Sequence, residues 1–145
     1  VGAPTEVEMV EKKHRIEDSL EAVRSAQEEG IVAGGGVALL RAGAVLHKLK
    51  TKSRAQNIGI QIILDSIEEP IKQMARNAGE SPDIVVNSVQ KSKGDRGFNF
   101  ATSKLVNMTE NGIIDPVKVT KTALLNAASV ASTLLTTNHA VVEVP

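Results

Sequence analysis

Residues 5–30 have apolar positions at helical spacing among mostly charged ones. Apolar side chains recur there at intervals of seven, four and three residues, at Met9, Ile16, Leu20 and Val23. This spacing predicts one long helix with a single narrow apolar stripe. Thr5 and Glu8 have the spacing of a capping box, and Gly30 lies where a glycine C-cap is expected. Because charged residues cover most of its circumference, we expect this helix to be a connector or an arm.

Further helices are predicted beyond three consecutive glycines, Gly34–Gly36. They are expected at residues 37–50, 53–79, 82–92 and 117–136. Pro70 should split the second of these, because proline cannot donate the helical hydrogen bond. Ser81 and Pro82 have the residue types of an N-cap and a first helical position. The last helix is rich in alanine, which permits close helix packing.

Short extended segments complete the pattern. One is predicted around Gly97–Phe100, and a second, of two residues, follows a turn at Asn111–Gly112. Asp115 is expected to cap the last helix, and residues 139–144 are expected to close the chain as a strand. The chain is therefore predicted to be mostly helical, with a few short strands.

Composition narrows the classes of function. The chain has 145 residues, of which 41% are hydrophobic and 23% charged, with a formal net charge of zero. These fractions are typical of a soluble globular protein, and the absence of a basic cluster argues against a nucleic-acid or anionic-membrane surface. There is no cysteine, and the three histidines have no metal-ligand spacing. The charged character changes to apolar at Gly30, where we place a domain boundary. Val1 in place of methionine suggests a processed product or a piece of a longer chain.

Three features could carry chemistry, and each also has a purely structural explanation. The glycine triplet could form a sharp turn or a packing contact, or could let a ligand approach the backbone. Asp18 could be a solvated surface carboxylate with His14 and Arg15 as weak partners, or a catalytic group delivered by the arm. Asp115 could be a helix cap or a carboxylate that binds sugar hydroxyls.

Several long segments together resemble the C-terminal half of a group I (GroEL-type) chaperonin. These are residues 1–41, "GFNFAT", "NGIIDPVKVTKTALLNAASVAS" and "LLTT" followed by a valine-rich strand. The resemblance covers essentially the whole chain in the family's order. It implies that Val1 to Glu29 is the C-terminal strand of the intermediate domain, returning as a long helical arm. Residues 30–145 would then be the C-terminal part of the helical equatorial, ATP-binding domain.

The resemblance also implies roles for individual residues. Nucleotide contacts are expected at Gly34, Gly35, Asn99, Phe100, Ala101, Ile113 and Asp115. The glycines would be bare because ribose and adenine occupy that space, and Asp115 would bind the ribose hydroxyls while capping the last helix. Asp18 would be the catalytic carboxylate that orients the attacking water. Phe100 departs from the small residue usual in bacterial relatives, so its ring could stack on adenine or crowd it.

The family's Asp-Gly-Thr-Thr-Thr loop for phosphate and Mg²⁺ has no counterpart in these residues, nor does the apical domain. We therefore expect a fragment that contributes half of a site for ATP or ADP with Mg²⁺, holds no metal itself, exposes apolar helix faces and hydrolyses ATP negligibly alone. The expected partners are identical subunits in a ring, with co-chaperonin and unfolded polypeptides bound through the apical domain. We expect a bacterial cytoplasmic location; mitochondrial matrix and plastid stroma are alternatives. Rival interpretations are a non-enzymatic helical interaction module and an unrelated small nucleotide-binding protein.

Overall fold

The computed structural model describes residues 1–143 and is mostly helical, as the sequence predicts. The elements in chain order are α1 (Glu6–Glu29), β1 (Ile31–Ala33), α2 (Val37–Leu46), α3 (Arg54–Ser66), α4 (Glu69–Asn77), α5 (Pro82–Lys91), β2 (Arg96–Asn99), β3 (Lys104–Asn107), β4 (Ile114–Pro116) and α6 (Val117–Thr136). The strands form two two-stranded sheets, β1 with β4 and β2 with β3. No helix within the described residues is long and apolar enough to cross a membrane.

The chain divides into two compact units. The first contains Val1–Gly30 and the chain from Pro116 onwards, and the second is Ile31–Asp115. One division thus lies beside Gly30, and α6 belongs to the same unit as α1. The assignment of residues 1–29 to an intermediate domain and 30–145 to an equatorial domain stays a prediction.

Helix α1 begins as its sequence predicts. The Thr5 hydroxyl accepts a hydrogen bond from the Glu8 amide, and the Glu8 carboxylate accepts one from the Thr5 amide, which confirms the capping box. Gly30 is the C-cap, with its amide donating to the Ala26 carbonyl at 2.8 Å. Its φ of 84° and ψ of −167° differ from the left-handed helical conformation expected of such a cap. Glycine alone adopts this region readily, because it has no Cβ.

Two ion pairs join the end of α1 to the start of α6 within the first unit. Lys118 pairs with Glu28, and Lys121 Nζ lies 2.6 Å from a Glu29 carboxylate oxygen. The Val117 amide also donates to the Gly30 carbonyl at 3.1 Å. The two helices therefore meet where α6 begins.

Helix α6 leaves large apolar side chains in solvent, which confirms the expectation of exposed apolar helix faces. The exposed residues of this helix include Val119, Leu125, Val130, Leu134 and Leu135. The strand predicted at the end of the chain is wrong for residues 139–143, which have no regular element. Val144, its last predicted residue, lies outside the described residues.

The second unit contains the hydrophobic core. Its buried cluster consists of Ala33, Val37, Ile71, Ala75, Val85, Val86, Val89 and Met108. Helices α4 and α5 contribute five of these residues, because their apolar positions recur at helical spacing and face inward. The predicted break at Pro70 is confirmed, since α3 ends at Ser66 and the proline lies in the first turn of α4. Ser81 is the N-cap of α5, although its side chain makes no capping hydrogen bond.

The strands bring together segments that are distant in sequence. β2 and β3 are antiparallel, with Arg96 opposite Asn107 and Asn99 opposite Lys104. β1 and β3 are not predicted from the sequence. The predicted cap at Asp115 is wrong: this residue lies in β4, and Pro116 is the N-cap of α6. Pairing of β4 with β1 keeps the backbone extended through Asp115, so its carboxylate lies one residue too early to cap.

An ion pair on α4 predicts a pH-dependent stability. Lys72 Nζ lies 2.8 Å from Glu68 Oε2, and the hydrogen bond to that carboxylate raises the pKa of Lys72 above its ordinary value of 10.5. The resulting stabilisation is complete at neutral pH and is lost as the pH rises through the raised pKa. We therefore expect Lys72→Met to lower the free energy of unfolding at pH 7, with the deficit shrinking above pH 10.5.

The measurement is urea unfolding of the wild type and the variant across this pH range. Lys93→Met is the matched control, because Lys93 is exposed and forms no salt bridge with any residue of the described range. A deficit that stays constant as the pH rises would show that the ion pair is not its cause.

Candidate functional site

The glycine triplet forms a tight turn between β1 and α2. Gly35 and Gly36 have φ values of 65° and 76°, a region that disfavours residues with a Cβ. The Gly34 amide donates to the Ile113 carbonyl at 3.0 Å, so the turn is attached to the chain just before β4. Gly36 is the N-cap of α2, and a glycine meets the left-handed conformation required there at low cost.

Close packing within the chain leaves little space for a side chain at two of these glycines. A Cβ at Gly34 would lie 3.1 Å from the carbonyl carbon and oxygen of Ile113. At Gly36 it would lie 3.0 Å from the Cβ of Ile71, a fully buried residue. These contacts give a structural reason for glycine at positions 34 and 36. Contact between a nucleotide and the backbone of Gly34, which is buried, and of Gly35, which is partly buried, stays a prediction.

Asn99, Phe100 and Ala101 lie together at the tip of the β2–β3 hairpin. The Asn99 Oδ1 accepts a hydrogen bond from the Ala101 amide at 2.9 Å, and its carbonyl accepts one from the Thr102 amide at 3.3 Å. The Phe100 ring packs against Phe98, with 5.1 Å between ring centroids, and both rings cover the edge of the core. The ring of Phe100 therefore has a partner within the chain, whereas Ala101 is exposed.

Ile113 immediately precedes β4 and Asp115 lies within it, and both are partly buried. Ile113 packs against the core cluster, and its carbonyl oxygen holds the Gly34 amide. The Asp115 carboxylate makes no hydrogen bond or salt bridge with any residue between 1 and 143. It is therefore free to accept hydrogen bonds from hydroxyl groups of a ligand.

Asp18 lies on α1, in the first unit, whereas the other seven predicted site residues lie in the second. Its side chain is exposed and has no partner among the described residues. The weak pairing with Arg15 considered from the sequence does not form, because Arg15 pairs with Glu11 at 2.5 Å. Asp18 is consequently a free carboxylate on a solvated helix surface.

A cavity of about 380 Å³ lies beside the glycine turn but contains none of the predicted site residues. It is lined by Ile31, Val32, Ala33, Val37, Ala38, Arg41, Asp95 and Thr109. Arg41 donates to the Val89 carbonyl at 3.0 Å and to Ser92 Oγ at 2.9 Å, while its buried Nε has no partner among the described residues. Sequence analysis missed these polar lining residues, because they come from three separate segments with no common motif.

The acidic and histidine side chains of residues 1–143 are dispersed. No group of three or more of them is placed to hold a metal ion within that range.

Gly34→Ala tests the packing of the turn. The new methyl group would lie 3.1 Å from main-chain atoms of Ile113, which cannot rotate away as a flexible side chain would. We expect the free energy of unfolding to fall by about 1–3 kcal/mol, the usual cost of overpacking. Gly59→Ala is the control, since Gly59 lies inside α3 with no atom near a new Cβ, and alanine there should stabilise by about 0.5–1 kcal/mol. Urea unfolding compares the two, and equal effects would contradict the packing argument.

A comparison with known families covers the entire chain. The model of the TCP-1/cpn60 chaperonin family matches residues 1–145.

Proposed function

Because the chain belongs to the TCP-1/cpn60 chaperonin family, we propose that it is part of an ATP-driven chaperonin subunit that assists protein folding. The family match over residues 1–145 is the observation that carries this proposal. Within the family we place it in group I, as the end of the intermediate domain followed by the second half of the equatorial domain. The subunits would assemble as stacked rings of identical copies, in the bacterial cytoplasm or an organelle derived from bacteria.

The second unit would supply the adenine and ribose half of an ATP site. The free carboxylate of Asp115 supports this role, because ribose hydroxyls are donors that an unpaired carboxylate accepts well. Ile113 offers an apolar surface for the base, next to the main chain of Gly34. At the hairpin tip, the Asn99 Oδ1 is already bonded, so its side-chain amide group and the exposed backbone at Ala101 would face the adenine. Phe100 would contribute through its backbone, because its ring packs on Phe98.

Asp18 would orient the water that attacks the γ-phosphate. In phosphoryl transfer a protein mainly positions the nucleophile and stabilises charge, so a single well-placed carboxylate has a large effect. Its exposure and lack of a partner support this role, because a carboxylate held in a strong ion pair would be a poorer acceptor for water. Delivery by a helical arm would make hydrolysis depend on a domain movement.

The remaining parts of the machine would come from residues outside these 145. A phosphate- and Mg²⁺-binding loop would complete the ATP site, and an apical domain would bind the co-chaperonin and unfolded polypeptides. The 145-residue polypeptide alone should therefore hydrolyse ATP negligibly.

The proposal is tested by the native size and activity of the protein that carries this sequence. Lysate of the source cells is separated by size, and the sequence is located by peptide mass spectrometry. Recovery from a very large particle that hydrolyses ATP, with peptides from an upstream phosphate-binding loop, is the expected result. Recovery as a free chain of 15.3 kDa would overturn the proposal.

A non-enzymatic interaction module is the second candidate, and the exposed apolar side chains of α6 favour it. Leu134 and Leu135 are 68% and 79% exposed, which suits a helix that packs against a partner. Nucleotide binding by the native particle distinguishes the two functions. A large particle that neither binds nor hydrolyses ATP would support the module and exclude the ATPase.

A further inference from the structure

One side-chain hydrogen bond joins two loops that are far apart in sequence. The Ser103 hydroxyl, at the end of the β2–β3 hairpin tip, donates to Glu80 Oε1 at 2.5 Å. Glu80 lies in the turn between α4 and α5, 23 residues earlier. Neither residue has a role in the site described above.

The Glu80 end of this contact is held by the core. The Glu80 amide donates to the Ala75 carbonyl at 2.9 Å, and Ala75 is fully buried in α4. Gly79, with φ of 74°, makes the sharp turn that this bond requires. The carboxylate of Glu80 thus projects from a backbone position fixed by α4.

The Ser103 end lies in an unfavourable backbone conformation. Ser103 has φ of 51° and is the only residue other than glycine with positive φ in the described part of the chain. Such a conformation is costly for a residue with a Cβ and persists only where its surroundings stabilise it. The hydrogen bond to Glu80 provides that stabilisation.

The hairpin tip is therefore held at both ends. At its start the Asn99 side chain bonds the Ala101 amide, and at its end Ser103 bonds Glu80. The first of these bonds spans residues 99–101, the predicted adenine contacts, and the second follows two residues later. A binding loop that is ordered before the ligand arrives loses less conformational entropy on binding, so affinity rises.

We propose that Glu80 is a positioning residue for nucleotide affinity: through Ser103 it fixes the hairpin tip that faces the adenine. This inference rests on the proposed function of the second unit. Glu80 touches no substrate atom, so it should change nucleotide binding and leave the chemical step unaffected.

The test uses the full-length chaperonin that carries this sequence, with ADP and ATP as probes. Glu80→Ala should raise the Kd of ADP and the KM of ATP about threefold to tenfold, with kcat changed less than about twofold, since one net hydrogen bond is lost. Glu80→Gln should restore most of the affinity, because the amide oxygen still accepts from Ser103. Ser103→Ala should match Glu80→Ala, and the double variant should add little to either. Glu110→Ala is the control, an exposed carboxylate with no hydrogen bond within residues 1–143.

Amide hydrogen exchange provides an independent readout. Faster exchange at residues 99–103 in Glu80→Ala, with unchanged exchange in the α4 and α5 helices, should accompany the loss of affinity. If the hairpin loosens while the Kd of ADP stays at the wild-type value, the inference is overturned and the proposed function stands. If Glu80→Gln behaves like Glu80→Ala, a hydrogen bond to Ser103 is not the cause and the inference is equally overturned. If the wild-type particle binds no nucleotide, both the proposed function and the inference are overturned.

Discussion

Replacing Asp18 by alanine in the full-length chaperonin is expected to lower the rate of ATP hydrolysis by about 100-fold or more. This is the lower part of the range for a side chain that positions or deprotonates a nucleophile. Alanine removes the exposed carboxylate without disturbing packing, because Asp18 has no partner among the described residues. The Kd for ATP should stay close to the wild-type value, since no adenine or ribose contact is assigned to this residue.

The control for Asp18→Ala is Glu17→Ala, the neighbouring carboxylate on the same helix. Glu17 is also exposed and forms only a surface ion pair with Lys13 at 3.5 Å, a contact that contributes about 0.5 kcal/mol to stability. Because no role in hydrolysis is assigned to Glu17, its removal should change turnover less than about twofold. Asp18→Asn keeps the size of the side chain and removes the charge, and it should resemble alanine. Single-turnover hydrolysis and nucleotide titration measure the two effects separately. Unchanged hydrolysis in Asp18→Ala would remove this residue from the mechanism.

Replacing Ile71 by alanine is expected to cost the second unit about 2–5 kcal/mol in free energy of unfolding, the range found for buried isoleucine and leucine. Ile71 is fully buried at the centre of the core cluster. Alanine keeps the Cβ that lies near Gly36 and removes the atoms beyond it, so the substitution opens a cavity in the core cluster. A loss of this size is a large part of the stability of a small domain.

Ile84→Ala is the matched control, since Ile84 lies in the neighbouring helix α5 and is 68% exposed. The same chemical change there should cost less than about 0.5 kcal/mol, as is usual for surface substitutions. Urea unfolding followed by far-UV circular dichroism compares the two variants. Similar unfolding midpoints for both would contradict the placement of Ile71 in the core.

Local features of the helices were predictable from the sequence because their causes lie within a few residues. The capping box of Thr5 and Glu8 depends on residues three apart, and the break near Pro70 depends on one missing amide. The last helix was predicted with its observed bounds, Val117–Thr136. The family resemblance could be recognised for a similar reason: the order of its motifs is a property of the chain itself.

The explanation of the glycine triplet needed the tertiary structure. The atoms that a side chain at position 34 would contact belong to the main chain of Ile113, 79 residues away in sequence. The sequence alone does not reveal this contact. The same long-range pairing of β1 with β4 keeps Asp115 extended and makes Pro116 the cap.

The sequence by itself thus determined the presence of the helices, the capping box of α1, the break near Pro70 and the family. Only the tertiary structure decided the strand pairs, the packing of the glycine turn and the contact between Glu80 and Ser103. The physical reason is the sequence distance between the interacting residues. Caps and helical periodicity arise between residues a few positions apart. Strand pairs and tightly packed glycines depend on atoms that folding brings from distant parts of the chain.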